Sequence, residues 1–176
     1  MIKCAKNSYI LFGGIYMNSL ISFIKRNKIP IIFAIITLGL GFLASILMGG
    51  FELYDEVIKP PFSPPGIIFP IVWSVLYVLI GVAAGIVAES NDLDKGYAIK
   101  LFLIQLFINL LWPIFFFTLN APRFALFWLV LLIIIALMTF KTFSLVSKRA
   151  GALFLPYVIW LFFAFYLNFG IVILNS

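Results

Sequence analysis

The segment LFLIQLFINLLWPIFFFTLNAP, residues 101–122, contains no Asp, Glu, Lys or Arg. A helix needs about 20 consecutive apolar residues to cross a bilayer, so this segment alone is long enough to span a membrane. The pattern recurs on both sides of it, in charge-free stretches at residues 29–51, 60–88, 124–140 and 150–176. The sequence therefore predicts an all-α fold, an integral membrane bundle of five transmembrane helices.

The composition of the chain excludes several classes of protein. Of the 176 residues, 65% are hydrophobic and 10% are charged, whereas a soluble domain carries about 25% charged residues. With one Cys and no His, the chain lacks an internal disulfide and the usual zinc or iron–sulfur ligands, and we expect no metal and no required cofactor. A conventional enzyme is disfavoured, because no His can act as a general base and no acidic cluster lies within the predicted helices.

The basic residues indicate how the helices are oriented. Ten of the 12 Lys and Arg residues lie on the side of the N-terminus and two on the opposite side. We expect the chain in a bacterial cell membrane. By the positive-inside rule, the N-terminus is predicted to be cytoplasmic and the C-terminus external. We expect no nucleic-acid partner, because the net charge of +6 is spread over short segments between apolar runs rather than over one solvated face.

The chain divides into an N-terminal cytoplasmic segment, residues 1–28, and a five-helix membrane domain, residues 29–176. A signal peptide is disfavoured for the apolar run at residues 9–17, because a basic cluster at residues 25–28 follows it instead of a small-residue cleavage site. The sequence is equally compatible with initiation at Met17.

Short connections separate the predicted helices, with one exception. The helices are predicted at about residues 30–49, 67–88, 99–119, 124–146 and 153–174. Most connections are so short that consecutive helices should be antiparallel neighbours. The exception, residues 51–66, contains four prolines, which restrict backbone angles and oppose helix formation. We expect this segment to form a stiff lid over one mouth of the bundle.

Polar and aromatic side chains repeat at helical spacing on three of the predicted helices. Gln105, Asn109 and Trp112 share one face of the third helix, because their spacing is i, i+4, i+7. The corresponding stripes on the second and fifth helices are Phe69, Trp73 and Tyr77, and Tyr157, Trp160, Ala164 and Asn168. Such stripes can line an apolar cavity with a few polar groups. Alternatively, the amides join helices to one another and the Trp and Tyr side chains anchor at the membrane interface.

These stripes lie within three ordered motifs that together resemble the tryptophan-rich sensory protein / translocator protein (TspO/MBR) family, also called peripheral benzodiazepine receptors. The resemblance spans residues 50–168. The motifs are Tyr54, Lys59-Pro60, Phe62, Pro64-Pro65, Phe69-Pro70, Trp73 and Leu76-Tyr77; then Gln105-x3-Asn109-x2-Trp112-Pro113; then Pro156-Tyr157-x2-Trp160 and Ala164-x2-Leu167-Asn168.

The resemblance implies a five-helix bundle, often a homodimer, that binds porphyrins, in some members sterols, and synthetic isoquinoline carboxamides and benzodiazepines beneath the first loop. The ligand-binding residues expected on this basis are Phe62, Pro64, Phe69, Trp73, Tyr77, Asn109, Trp112, Trp160, Ala164 and Leu167. It also implies that Trp73 and Trp160 are catalytic if the chain promotes the light-dependent porphyrin breakdown known for some bacterial members.

Several positions depart from the family pattern. Phe62 stands where the loop aromatic is usually Trp, and Trp128 stands at an acidic position of the fourth helix. No Lys or Arg follows Tyr166, so the sterol-recognition pattern of animal members is missing. The small-residue seam expected at a dimer interface on the third helix is not evident, whereas Gly81-x3-Gly85 permits close helix packing on the second.

Two functions are compatible with these observations. The first is a membrane receptor that binds a tetrapyrrole, such as protoporphyrin IX or a haem-like molecule, or another flat hydrophobic ligand. The alternative is a transporter that moves tetrapyrroles or sterol-like molecules across the membrane. Binding is favoured, because the sequence has no duplicated pair of broken helices and no charge within the predicted helices that could couple ion movement to transport.

Overall fold

The computed structural model describes residues 22, 24, 27–48, 54 and 56–176. Five helices in this part of the chain are long and apolar enough to span a membrane, and no strand occurs in it, which confirms the predicted all-α class. The helices are α1 (Lys28–Met48), α2 (Ile68–Glu89), α3 (Lys95–Pro113), α4 (Pro122–Val146) and α5 (Lys148–Leu174). Most of the predicted N-terminal segment lies outside the described residues.

Three helix boundaries differ from the prediction by four residues or more. α3 begins at Lys95 rather than at about residue 99, and the other two differences have local chemical reasons. α5 begins at Lys148, five residues before the predicted start, because the Ser147 side chain accepts a hydrogen bond from the Ala150 N–H at 3.4 Å and caps the helix. α3 changes into a π-helix, Ile114–Thr118, directly after Pro113. Proline has no N–H to donate to the preceding turn, so the regular hydrogen-bond pattern cannot continue through this residue.

The helices form a ring in the order α1, α2, α5, α4, α3. α2 packs extensively against α1 and α5, and α4 packs extensively against α5 and α3, whereas α3 completes the ring through smaller contacts with α1 and α2. α3 and α5 face each other across the interior, where the Gln105 amide donates a hydrogen bond to the Tyr157 hydroxyl. Consecutive helices are therefore close neighbours as predicted, except that α2 and α3 share only a small contact.

The glycine pair on α2 brings α1 close to it. A Cβ at Gly81 would lie 2.6 Å from the Ala34 Cα, and one at Gly85 would lie 2.7 Å from the Pro30 nitrogen. At the same contact, the Thr37 hydroxyl donates to the Tyr77 carbonyl at 2.8 Å. The prediction that these glycines permit close helix packing is confirmed, and the partner is α1 of the same chain.

The number of spans makes orientation testable. Three spans separate the α2–α3 connection from the C-terminus, so the two lie on opposite sides of the membrane. The distribution of Lys and Arg predicts that the connection is cytoplasmic. We expect a reporter fused at Ser90 to be active on the cytoplasmic side and one fused at Ser176 to be active outside. An external Ser90 reporter would contradict the predicted orientation.

Candidate ligand-binding site

Two cavities lie side by side in the lid-proximal half of the bundle. The larger, here called the outer groove, has a volume of about 710 Å³, within the range typical of small-molecule sites. Its lining residues are Ile35, Leu38, Gly39, Gly41, Phe42, Ala44 and Ser45 of α1, Phe69, Pro70, Trp73, Ser74 and Tyr77 of α2, and Trp112, Pro113 and Phe117. The smaller, here called the inner cavity, has about 20 Å³ of free volume and lies between α2, α5 and the end of α3.

The two cavities form one site because they share a wall. Phe69, Trp73, Trp112 and Phe117 line both the outer groove and the inner cavity. The inner cavity as it stands is too small for a porphyrin-sized molecule. A large ligand would therefore occupy the groove, or both spaces after these shared aromatic side chains have moved.

Ring contacts hold the shared aromatic wall in position. The Trp73 ring lies 5.6 Å from the Tyr77 ring and 6.3 Å from the Tyr157 ring, measured between centroids. Phe69 makes an edge contact with Trp160 at 6.2 Å, and Trp112 stacks on Phe116 at 5.2 Å. Such pairs stabilise aromatic side chains beyond the area they bury, so the ring contacts favour the present position of the wall and oppose its displacement.

Several buried polar atoms of α3 and α5 have no hydrogen-bond partner among the described residues. They are Gln105 Oε1, Asn109 Nδ2 and Oδ1, Trp112 Nε1 and Trp160 Nε1. Gln105 and Asn109 are fully buried. An unpaired polar group in such a place costs free energy, and it is tolerated where it serves a ligand. Of these residues, Trp112 and Trp160 line the cavities, and their indole N–H groups can donate to a bound molecule.

Other polar side chains of the same region are satisfied and hold helices together. With its amide oriented to satisfy both partners, Asn168 donates to the Pro122 carbonyl at 3.0 Å and accepts from the Leu126 N–H at 3.2 Å. The Trp128 indole donates to the Ile108 carbonyl at 2.8 Å. Asn168 therefore joins α5 to the start of α4, and Trp128 joins α4 to α3. Trp128, which replaces the acidic residue of the family pattern, lines neither cavity.

The described part of the lid is fastened to α5. The Tyr166 hydroxyl donates to the Pro61 carbonyl at 2.9 Å. The Asn175 side chain accepts from the Ile58 N–H at 3.0 Å and donates to the Ile58 carbonyl at 2.9 Å. Pro60 packs so closely against Gly170 that a Cβ there would lie 2.6 Å from the Pro60 Cγ. These contacts, together with the prolines, support the predicted stiffness of the lid.

The structure brings most of the predicted ligand-binding residues together. The seven that line one or both cavities are Phe69, Trp73, Tyr77, Trp112, Trp160, Ala164 and Leu167. Asn109 is buried one helical turn below Trp112 and lines neither cavity.

Two predicted lid residues lie away from both cavities. Phe62 has a φ of 61° and a side chain that is 92% exposed, so the expectation that it lies over the cavity is not met. The left-handed backbone at Phe62 directs the ring outward, which the identity of the residue alone does not reveal. The Pro64 carbonyl accepts a hydrogen bond from the Tyr54 hydroxyl at 2.8 Å, and Pro64 lines neither cavity.

Sequence reasoning missed the contribution of α1. Its small residues Gly39, Gly41, Ala44 and Ser45 line the outer groove. A Cβ at Gly39 would meet open space, whereas at Gly41 the Tyr77 ring occupies the space that a side chain would need. Because none of them carries a charge or an amide, a search for polar or aromatic stripes passes over them. The available signal was the concentration of small residues in one half of the first predicted helix.

The chain is similar to known proteins over most of its length. The model of the TspO/MBR family matches residues 31–174. The chain is 40% identical to "Tryptophan-rich protein TspO" of Chlorobaculum tepidum over 126 residues, which cover 69% of this chain and 78% of that protein. It is 36% identical to "Tryptophan-rich sensory protein" of Cereibacter sphaeroides over 124 residues, 70% of this chain and 77% of that protein. It is 34% identical to "Translocator protein" of Bos taurus over 123 residues, 68% of this chain and 73% of that protein.

Proposed function

The chain belongs to the TspO/MBR family of integral membrane proteins, and from this premise we propose that it is a membrane receptor for flat, hydrophobic, porphyrin-like ligands. The observation that carries the proposal is the combination of an apolar groove of about 710 Å³ with unpartnered indole N–H groups on two residues that line the site, Trp112 and Trp160. A tetrapyrrole has a flat apolar body and a few polar groups. The apolar body matches the groove, and the polar groups match the unpartnered atoms.

Each side chain has a defined task in this proposal. The indole rings of Trp73 and Trp112 supply flat apolar surface on the wall that the two cavities share. The Trp160 N–H lies at the inner cavity and has no hydrogen-bond partner among the described residues. The Asn109 amide, which is also unpartnered there, lies one helical turn below Trp112 and becomes available to the ligand once the shared wall has moved. Binding therefore stabilises the protein twice, by covering apolar surface and by pairing buried polar groups.

We expect Asn109→Leu to change stability and affinity in opposite directions. Leucine has the same number and branching of side-chain heavy atoms and removes a buried amide without partners among the described residues, so the ligand-free protein should gain about 1–3 kcal/mol of unfolding free energy. Affinity for protoporphyrin IX should fall about tenfold, the equivalent of about 1.4 kcal/mol of lost hydrogen bonding. Thermal unfolding in detergent and titration followed by tryptophan fluorescence quenching measure the two effects.

The matched control is Thr139→Val, a change from buried polar to apolar on α4 outside both cavities. This variant should leave porphyrin affinity unchanged. If Asn109→Leu instead lowered stability and left affinity intact, Asn109 would be a structural residue. Absence of porphyrin binding by the wild-type protein would overturn the proposal itself. A flux assay in proteoliposomes with the same ligand separates binding from transport.

A further inference from the structure

The outer groove opens sideways from the bundle. Ile35 and Phe42 line it, and their side chains are 65% and 68% exposed. Both residues lie well inside α1, which spans the membrane, so the medium around them is the hydrocarbon of the bilayer rather than water. The groove is therefore accessible to molecules dissolved in the membrane.

The α1 wall of the groove leaves room for a bulky molecule to pass. A Cβ placed on Gly39 would meet no atom within 4 Å, which shows open space at the centre of this wall. Ala44 and Ser45, on the next turn and a half of α1, also line the groove. The contact between α1 and α3 is small in comparison with that between α1 and α2, so the ring of helices is least tightly closed on this side.

The lid, by contrast, is closed by specific bonds. Its described residues are tied to Tyr166 and Asn175 by three hydrogen bonds, one from Tyr166 to Pro61 and two between Asn175 and Ile58. Moving the lid aside would break these bonds, whereas the groove is open already. The groove also leads to the inner cavity through their shared wall of Phe69, Trp73, Trp112 and Phe117.

From these observations we propose that ligands exchange directly between the bilayer and the site, through the outer groove between α1 and the end of α3, and not through the lid. The proposal rests on the proposed function and adds the class of ligand it serves: flat apolar molecules that are already dissolved in the membrane. The aromatic side chains of the shared wall move to admit the ligand, while the lid stays in place.

The test uses variants that narrow the groove and measures how fast the ligand associates and dissociates. The protein is in nanodiscs, and protoporphyrin IX is the probe. Gly39→Phe should fill the open space, and Ser45→Phe provides a second obstruction should the first variant fold poorly. The matched control is Gly96→Phe on α3, where a Cβ also meets nothing within 4 Å and which does not line the groove. We expect both obstructing variants to slow association tenfold or more. Because Gly39 and Ser45 also line the site itself, the dissociation constant should rise as well.

A second arm loosens the lid through Tyr166→Phe combined with Asn175→Ala, which removes the three hydrogen bonds that tie it to these residues. This variant should exchange ligand at a rate within twofold of the wild type. Unchanged rates in the obstructing variants, a rise in their dissociation rate alone, or a tenfold acceleration in the lid variant would each overturn the lateral route. Those outcomes leave the proposed function standing, whereas failure of the wild-type protein to bind porphyrin at equilibrium would remove the function and the route together.

Discussion

Gly85→Leu is expected to lower the unfolding free energy by about 3 kcal/mol or more, because the new side chain has no space between α2 and α1. Even a Cβ at Gly85 would overlap the backbone of Pro30, and its distance to the Pro30 nitrogen would be 2.7 Å. Backbone atoms cannot rotate away as a side chain can, so α1 must move. Thermal unfolding in detergent measures the loss.

The control for this prediction is Gly39→Leu on α1, where the added side chain enters open space. Its thermal midpoint should remain close to that of the wild type. Gly81→Leu should resemble Gly85→Leu, since a Cβ there would lie 2.6 Å from the Ala34 Cα. Equal midpoints for Gly39→Leu and Gly85→Leu would contradict the close contact between α1 and α2.

The second large effect concerns light-driven chemistry. Trp73→Phe and Trp160→Phe are each expected to slow the photochemical loss of bound porphyrin at least tenfold while weakening porphyrin binding only a few-fold. Phenylalanine keeps most of the aromatic contact area, but it is far harder to oxidise than an indole and cannot donate an electron to an excited porphyrin. Both indoles line the inner cavity, so both lie within reach of one ligand. The measurement is the decay of porphyrin absorbance under illumination in air, corrected for the bound fraction.

Trp128→Phe is the matched control for this chemistry. Trp128 lies in a separate aromatic cluster, 4.8 Å from the Phe115 ring and 6.2 Å from the Phe124 ring, and lines neither cavity. Its replacement should leave the photochemical rate unchanged. Should wild-type protein degrade porphyrin no faster than detergent alone, the photochemical hypothesis fails and plain binding remains. Unchanged binding in both Trp73→Ala and Trp160→Ala would assign the two indoles to helix packing.

Much of this architecture could be predicted from the sequence, because the information is local. A charge-free run of about 20 residues is sufficient to specify a spanning helix, and all five predicted spans are present. Helical spacing was equally sufficient to place Gln105, Asn109 and Trp112 on one face, and all three are buried. The prolines near residue 60 indicated a restrained segment, and the described part of it is indeed tied down.

Spacing alone could not distinguish the structural roles of residues of the same type. Asn109 and Asn168 are both amides on inward-facing helix surfaces, yet Asn168 bridges to α4 while Asn109 has no partner among the described residues. Phe62 and Phe69 are both aromatic residues of the first motif, yet Phe69 lines both cavities and Phe62 points outward.

What the sequence by itself determined is therefore the number of spans, their approximate limits and the side chains that share a face on each. Only the tertiary structure decided which face meets which helix, since that depends on the ring order α1, α2, α5, α4, α3 and on contacts between residues far apart in the chain. The close approach of α1 to Gly81 and Gly85 fixes one side of the ring. The weaker contact of α1 with α3 leaves the other side open, and the outer groove exists because these two packings differ in tightness.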